Sequence, residues 1–306
     1  MIETYEIQLF SKYLSLVSDA VPPHGKFPMI AVTVRGVVGD PQYDRIGELD
    51  RKLRHSNVGF AFGGWNISRR YSEEELARAE LFFLNVPMTE VAAEEYGTEY
   101  RDVGSCEFNG KVLQHLGGTD FRLVPGKVRC GLASNQVGSL RLPFGKLKRN
   151  RDLYRIWGGE LVVSERLASL IIDRQFSGSA LFPITNINDR NQGKAPRRNL
   201  SQLVLQSNPL DEVAAHSRFG ETPFDTESGG YHRCAAGVIA GLRPISPLSI
   251  TRSSWDGSDL CRTAVYVSAR RGLFRPYQLL VVSKKFLMAL QEHAMKGFQF
   301  EVVEIA

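Results

Sequence analysis

The residues with chemistry to offer are few. Cys106, Cys130, Cys234 and Cys261 are the four thiols of this 306-residue chain, and His232 stands two places before Cys234. A structural zinc needs four ligands in closely spaced pairs. Here a site would have to gather Cys106, Cys130, Cys234 and His232 across long intervals, so the reading is no metal, no cofactor and reduced thiols. His232 and Cys234 also have the spacing of two side chains on one face of a strand, with no carboxylate nearby to orient a nucleophile pair. His24, His55, His115, His216 and His293 follow no ligand spacing. Glu73, Glu74 and Glu75 are consecutive, so on a helix they point in three directions and cannot converge on one proton. Their place is the first turn of a helix, where the dipole favours negative charge.

The remaining concentrations of charge are basic. Lys146, Lys148, Arg149 and Arg151 form one cluster, and Lys194, Arg197 and Arg198 another, within a net charge of +5. Such clusters can grip phosphates, but a solvated loop is the expected reading, with Lys146, Lys148, Arg149 and Arg151 as the candidate binding residues. They lack the interleaved aromatics of a single-strand binder and the spacing of a helix-turn-helix or zinc finger, so nucleic acid is not the expected partner. Neither a P-loop, a dinucleotide fingerprint, a His-Glu-x-x-His nor a Gly-x-Ser-x-Gly occurs, which weighs against the familiar enzymes. No catalytic residue is assigned, and the enzyme alternative would need a site between modules.

The elements that must hold these residues begin with an alternating strand through Tyr5, Ile7 and Leu9. Strands are expected over Met29–Val34 and Val58–Phe62, with a short helix between Tyr43 and His55 and a turn at Gly63-Gly64-Trp65. Ser72 and Glu75 stand three apart as a capping box, with Tyr71 and Leu76 at the staple positions, predicting a helix over 73–84. Pro87 blocks its extension. These elements make residues 1–93 a first, mixed part.

Farther on, one pattern occurs twice. Leu161-Val-Val-Ser164 leads through Leu167, Leu170 and Ile171 to Gly178, and Leu280-Val-Val-Ser283 leads through Phe286, Ala289 and Leu290 to Gly297. The copies stand 119 positions apart without a gap. Each reads as strand, serine N-cap, helix, glycine in the left-handed stop position and strand, with the two strands parallel. An Asp-Leu pair precedes each copy, at Asp152 and Asp259. The expected fold is α+β: the N-terminal part, then two divergent repeats over 94–185 and 231–306, each with a strand-helix-strand core. Residues 186–230, rich in Asn, Gly, Pro and Ser, are expected to form a surface linker with a short strand at Leu200–Gln206 and aromatics at Phe219 and Phe224 that pin it.

The Val-Val-Ser segments, the glycines after them, and the run from Tyr96-Gly97 through Cys106 to Cys130-Gly131 resemble bacterial proteins with two Cys-x-x-Cys-Gly motifs, over roughly residues 94–304. Some of those are assigned as immunity proteins of polymorphic toxin systems. The naming motif is degenerate: Val128 and Arg129 precede Cys130, and Ala235-Ala236-Gly237 follows Cys234. The resemblance implies a non-enzymatic protein-binding module that neutralises a cognate toxin. Its own positive charge points to an acidic or neutral partner. No run reaches the roughly 20 apolar residues of a membrane span, and Met1-Ile-Glu-Thr-Tyr lacks a signal peptide's basic and apolar regions, so no membrane partner and a cytoplasmic location are expected.

Overall fold

A computed structural model of the chain describes residues 1–17, 31–56, 58–102, 111–117, 120–125, 134–187, 198–212, 216–220, 222–224, 238–240, 243–268 and 276–306. The fold is α+β. Contacts divide it into two compact units, Met1–Arg78 with Gly220–Thr226, and Ala79–Phe219 with Glu227–Ala306, so the first unit parts from the second at 78 rather than 93.

In the first unit, β1 (Ile2–Phe10) lies between β2 (Ala31–Val37) and β3 (Phe62–Arg70), antiparallel to both. Tyr5, Ile7 and Leu9 are buried, as their alternation requires. Helix α1 (Pro41–His55) starts at Asp40, whose carboxylate accepts from the Tyr43 amide at 2.7 Å, with Pro at the first turn. Gly63-Gly64-Trp65 is not a turn. It lies within β3, where Gln8 pairs with Gly64 and Leu9 with Phe62, so Gly63 is the extra residue of a bulge, a place where glycine suits a strand. Phe224 belongs to this unit, 4.7 Å from the Tyr43 ring, with the Tyr43 hydroxyl donating to the Pro223 carbonyl.

The capping box forms as the spacing predicts. The Glu75 amide donates to Ser72 Oγ at 3.2 Å, and the Ser72 amide to the Glu75 carboxylate at 2.7 Å. The helix it starts, α2 (Glu73–Arg78), does not run to Leu84. Leu81–Asn85 is instead a strand, β4. Leu81, Phe82, Phe83 and Leu84 are all buried, so both faces of this segment are apolar. A helix would have buried only one stripe of it, whereas an inner strand buries all four side chains.

The second unit contains two sheets built alike. In the first, β5 (Leu153–Arg155), β6 (Leu161–Ser164), helix α3 (Glu165–Asp173) and β7 (Ser179–Pro183) are joined by β8 (Leu200–Leu205), in the order β5-β6-β8-β7. In the second, β9 (Leu260–Ser268), β10 (Pro276–Ser283), helix α4 (Lys284–Glu292) and β11 (Gln299–Ile305) are joined by β4, in the order β9-β10-β4-β11. The strands flanking each helix are parallel, as expected, but not neighbours: a strand antiparallel to both lies between them. Residues 200–205 are thus no surface linker. Leu200, Gln202 and Leu203 are buried because β8 is an inner strand.

The inner strands are exchanged. Each of β4 and β8 precedes, in the chain, one strand-helix-strand core, yet each completes the sheet of the other core. The registers correspond: Leu161 faces Leu203 as Leu280 faces Leu84, and Ser164 faces Leu200 as Ser283 faces Leu81. The correspondence reaches into the flanks. Thr98 Oγ1 accepts from the Arg141 amide and donates to the Arg141 carbonyl; Ser217 Oγ does the same to Ser249. Arg141–Leu142 pairs in parallel with Thr185–Asn186, and Ser249–Ile250 with the end of β11.

Both helices are capped by their serines, Ser164 Oγ accepting from the Leu167 amide at 3.2 Å and Ser283 Oγ from the Phe286 amide at 3.1 Å. The glycines do not stop the helices. Gln175 and Ala294 take the left-handed backbone after the last turn, at φ 53° and 46°. Gly178 and Gly297 lie three residues on, where a Cβ would stand 2.1 Å from the Leu260 carbonyl oxygen and 2.3 Å from that of Leu153. Each glycine lets one half's chain touch the backbone of the other half.

Candidate basic interface

The loop between Leu142 and Leu153 carries the four cations. Its apolar residues face in: Phe144 and Leu147 are buried in a core with Leu140, Tyr154 and Val162. A single 3-10 turn, Phe144–Lys146, brings the chain around. Lys148 and Arg149 are exposed and Arg151 is half-buried.

Main-chain hydrogen bonds fix the loop from below. The buried Tyr154 hydroxyl donates to the carbonyls of Lys148 at 2.5 Å and Arg151 at 2.6 Å. The Arg198 guanidinium donates to the carbonyls of Leu147 at 3.0 Å and Lys148 at 3.3 Å, contacts the Tyr154 hydroxyl and stands 5.3 Å over its ring. Arg198, from the second basic cluster, is therefore part of the first. Burial pushes the Tyr154 hydroxyl above its ordinary range although Arg198 opposes the shift, so the tyrosine stays a neutral donor. Lys146 donates to the Tyr96 hydroxyl at 2.5 Å and lies 5.1 Å over that ring, which holds its ammonium above the usual value. With the carbonyls of Leu147, Lys148 and Arg151 held from within the protein, the exposed Lys148 and Arg149 and the half-buried Arg151 stand on a fixed backbone.

Beneath the loop, Asp152 joins three segments. Its carboxylate accepts from Ser164 Oγ at 2.8 Å, from Arg166 at 2.8 Å and from the Lys296 amide at 2.9 Å. Burial would raise this carboxyl, but the bonds from Arg166, the Lys296 amide and Ser164 outweigh it and bring it below the usual carboxylate value.

Asp259 is wired in the same manner. It accepts from Ser283 Oγ at 2.7 Å and from the Ser177 amide at 3.1 Å, with the Lys285 ammonium 3.7 Å away. The loop ahead of Asp259 has the same construction, a 3-10 turn at Arg252–Ser254 after the parallel strand. Its charges differ. From Thr251 to Ser258 it has one cation, Arg252, paired with Glu80 at 2.5 Å, and one acid, Asp256. From Pro143 to Arg151 there are four cations and no acid. The two loops share the 3-10 turn and differ in charge.

Cys106, Cys130, Cys234 and His232 lie outside the described residues, as do Lys194 and Arg197. Cys261 is buried in the second sheet's core, and burial pushes its thiol up to about 12. Among the described residues no group of three His, Cys, Asp or Glu side chains is placed to hold a metal ion, and no helix is long and apolar enough to cross a membrane. Arg155 is a further buried cation. Its guanidinium lies 4.3 Å over the Tyr277 ring and donates to the Gly159 carbonyl at 3.1 Å. Nothing in the spacing around Leu153-Tyr154-Arg155 announces it. The sequence matches no family model and none of the curated proteins.

Proposed function

We propose that the chain is a non-enzymatic protein-binding module that holds an acidic partner at the loop of Lys146, Lys148, Arg149 and Arg151, most concretely a cognate toxin neutralised in the cytosol. The observation that carries this reading is the contrast between the two loops. Side chains required by the fold would recur at both, whereas one loop carries four cations and the other a single cation, Arg252, that is paired with Glu80. A fixed backbone also suits recognition, because little ordering entropy is lost when a partner docks. Exposed cations of this kind speed encounter and select against basic partners, so the complex should weaken as salt rises.

The test is co-expression with the product of the adjacent reading frame in a sensitive host. Rescue of growth together with a co-purifying complex supports the reading, and Lys148→Glu with Arg149→Glu should abolish both. Rescue undiminished by those two charge reversals would remove the loop from the mechanism. Turnover of a small molecule by the isolated chain would replace the reading with an enzymatic one.

A further inference from the structure

The loop is not an isolated patch. Lys296, from the segment after α4, lies against it: the Lys296 carbonyl accepts from the Asp152 amide at 2.7 Å and the Leu153 amide at 3.2 Å. A Cβ on Gly297 would stand 3.3 Å from Arg151 Cβ. The Lys296 main chain is thereby fixed beside Arg151 while its side chain is exposed. Arg166, from the start of α3, reaches the same seam, donating to Asp152 and to the Ala294 carbonyl at 3.3 Å. Arg198 closes the other side by its bonds to Leu147 and Lys148.

We propose that Lys148, Arg149, Arg151 and Lys296 form one composite surface, assembled from two segments that meet at the Asp152 junction and held in place by Arg166 and Arg198, whose guanidiniums are bonded to Asp152 and to the loop carbonyls, and that it fits a carboxylate-rich protein surface. The inference rests on the protein-binding reading above and extends it. Once more the opposite junction is the control. Ser177 stands at Asp259 where Lys296 stands at Asp152, and Ser258 precedes Asp259 where Arg151 precedes Asp152. Guanidinium forks favour planar, bidentate acceptors such as carboxylates and phosphates. Two observations favour protein over single-stranded nucleic acid, and the duplex is left as an outcome of the test. Tyr154 is fully buried and Tyr96 packs against the core, so the loop's tyrosines offer no open face on which a base could stack.

Fluorescein-labelled poly-L-glutamate and a labelled 20-base-pair DNA duplex serve as probes for the full chain, with anisotropy read across a salt series. Lys148→Glu with Arg149→Glu should weaken poly-L-glutamate binding about tenfold or more, and Lys296→Gln about threefold, the loss of one well-placed exposed pair. Lys285→Gln, at the Asp259 junction, should leave binding unchanged, and thermal melts should show all variants folded. If the loop variant weakens binding and Lys296→Gln does not, the surface is the loop alone: the composite is overturned while the protein-binding reading stands. If Lys285→Gln loses as much as Lys296→Gln, net charge explains the binding and the composite fails. Tighter binding of the duplex at equal salt overturns the partner class. No response of poly-L-glutamate binding to the loop variant sinks both the composite and the reading on which it rests.

Discussion

The Lys296 amide donates to the Asp152 carboxylate at 2.9 Å across 144 positions of sequence. In the opposite sense, the Ser177 amide donates to Asp259 across 82 positions at 3.1 Å. Each aspartate binds the serine cap of its own helix and the segment leaving the other helix. The start of one helix is thus tied to the exit of the other, twice, and the two helix ends meet in the T-shaped contact of Phe176 and Phe286 at 4.8 Å.

Asp152→Asn keeps the shape and removes the charge that Arg166 and the Lys296 amide address. It should cost about 2 kcal/mol at neutral pH, in the range for hydrogen bonds to a charged group. Because the folded carboxyl lies below its usual value, its contribution is complete above the unfolded value near ~3.9 and is lost as pH falls through the lower folded value. Urea unfolding at pH 7 and pH 3 should show the native chain losing more stability on acidification than the variant. Parallel losses would mean that Asp152 has no part in the acid response.

Gly178→Ala and Gly297→Ala should each destabilise by more than about 2 kcal/mol, since both add a left-handed backbone penalty to a collision with a carbonyl oxygen of the opposite half. Gly257 has a similar φ of 83° with no atom within 4 Å of the place a Cβ would take, so Gly257→Ala should cost only about 1 kcal/mol. Denaturant midpoints give the comparison. Equal costs at all three positions would leave the backbone alone as the reason for glycine.

The helix caps were legible because a cap is local: Ser164 and Ser283 act on amides three residues away. The fate of Leu81–Leu84 was not. A capping box announces a helix, and Leu-Phe-Phe-Leu carries no alternation to contradict it; the strand is chosen by β10 and β11, about 200 positions later. The exchange of β4 and β8 is likewise a matter of which sheet each strand joins, and no local period encodes that. For the basic loop, the charges could be read directly from Lys146 to Arg151. That the carbonyls of Leu147, Lys148 and Arg151 are held by Tyr154 and Arg198 depends in part on a tertiary contact 50 positions away, between Lys148 and Arg198.

Cys261 should be inert in the folded chain. It is fully buried, its Sγ donates to the Ser258 carbonyl at 3.2 Å, and a thiol at about 12 has almost no thiolate at pH 8. Alkylation with iodoacetamide at pH 8, followed by peptide mass spectrometry, should leave the Cys261 peptide unmodified until urea is added. Labelling of that peptide without denaturant would show the second sheet opening at β9.

Cutting the chain should not separate its halves. With a protease site placed in the stretch 188–197, cleavage leaves β4 on the first fragment and β8 on the second, and each remains the inner strand of a sheet whose other strands belong to the opposite fragment. Neither strand can simply return to its own core. Phe82, packed against Phe300 at 5.9 Å, would replace Ser201, and Phe83 would replace Gln202, whose amide is paired reciprocally with Gln136 at 2.8 and 3.1 Å. Other ties also cross the cut, among them the Asp152–Lys296 and Ser177–Asp259 bonds, the Phe176–Phe286 contact, and Phe224 packed beside Tyr43 and Phe62 in the N-terminal unit. The cut is therefore made in a Phe224→Ala background, which removes the tie to the N-terminal unit and leaves the exchanged strands together with the two aspartate junctions to act. Size-exclusion chromatography should still give one particle of intact size, with fragments released only in denaturant. Native separation into two folded fragments would mean that β4 and β8 can each close their own sheet, and that the observed pairing contributes little to holding the unit together.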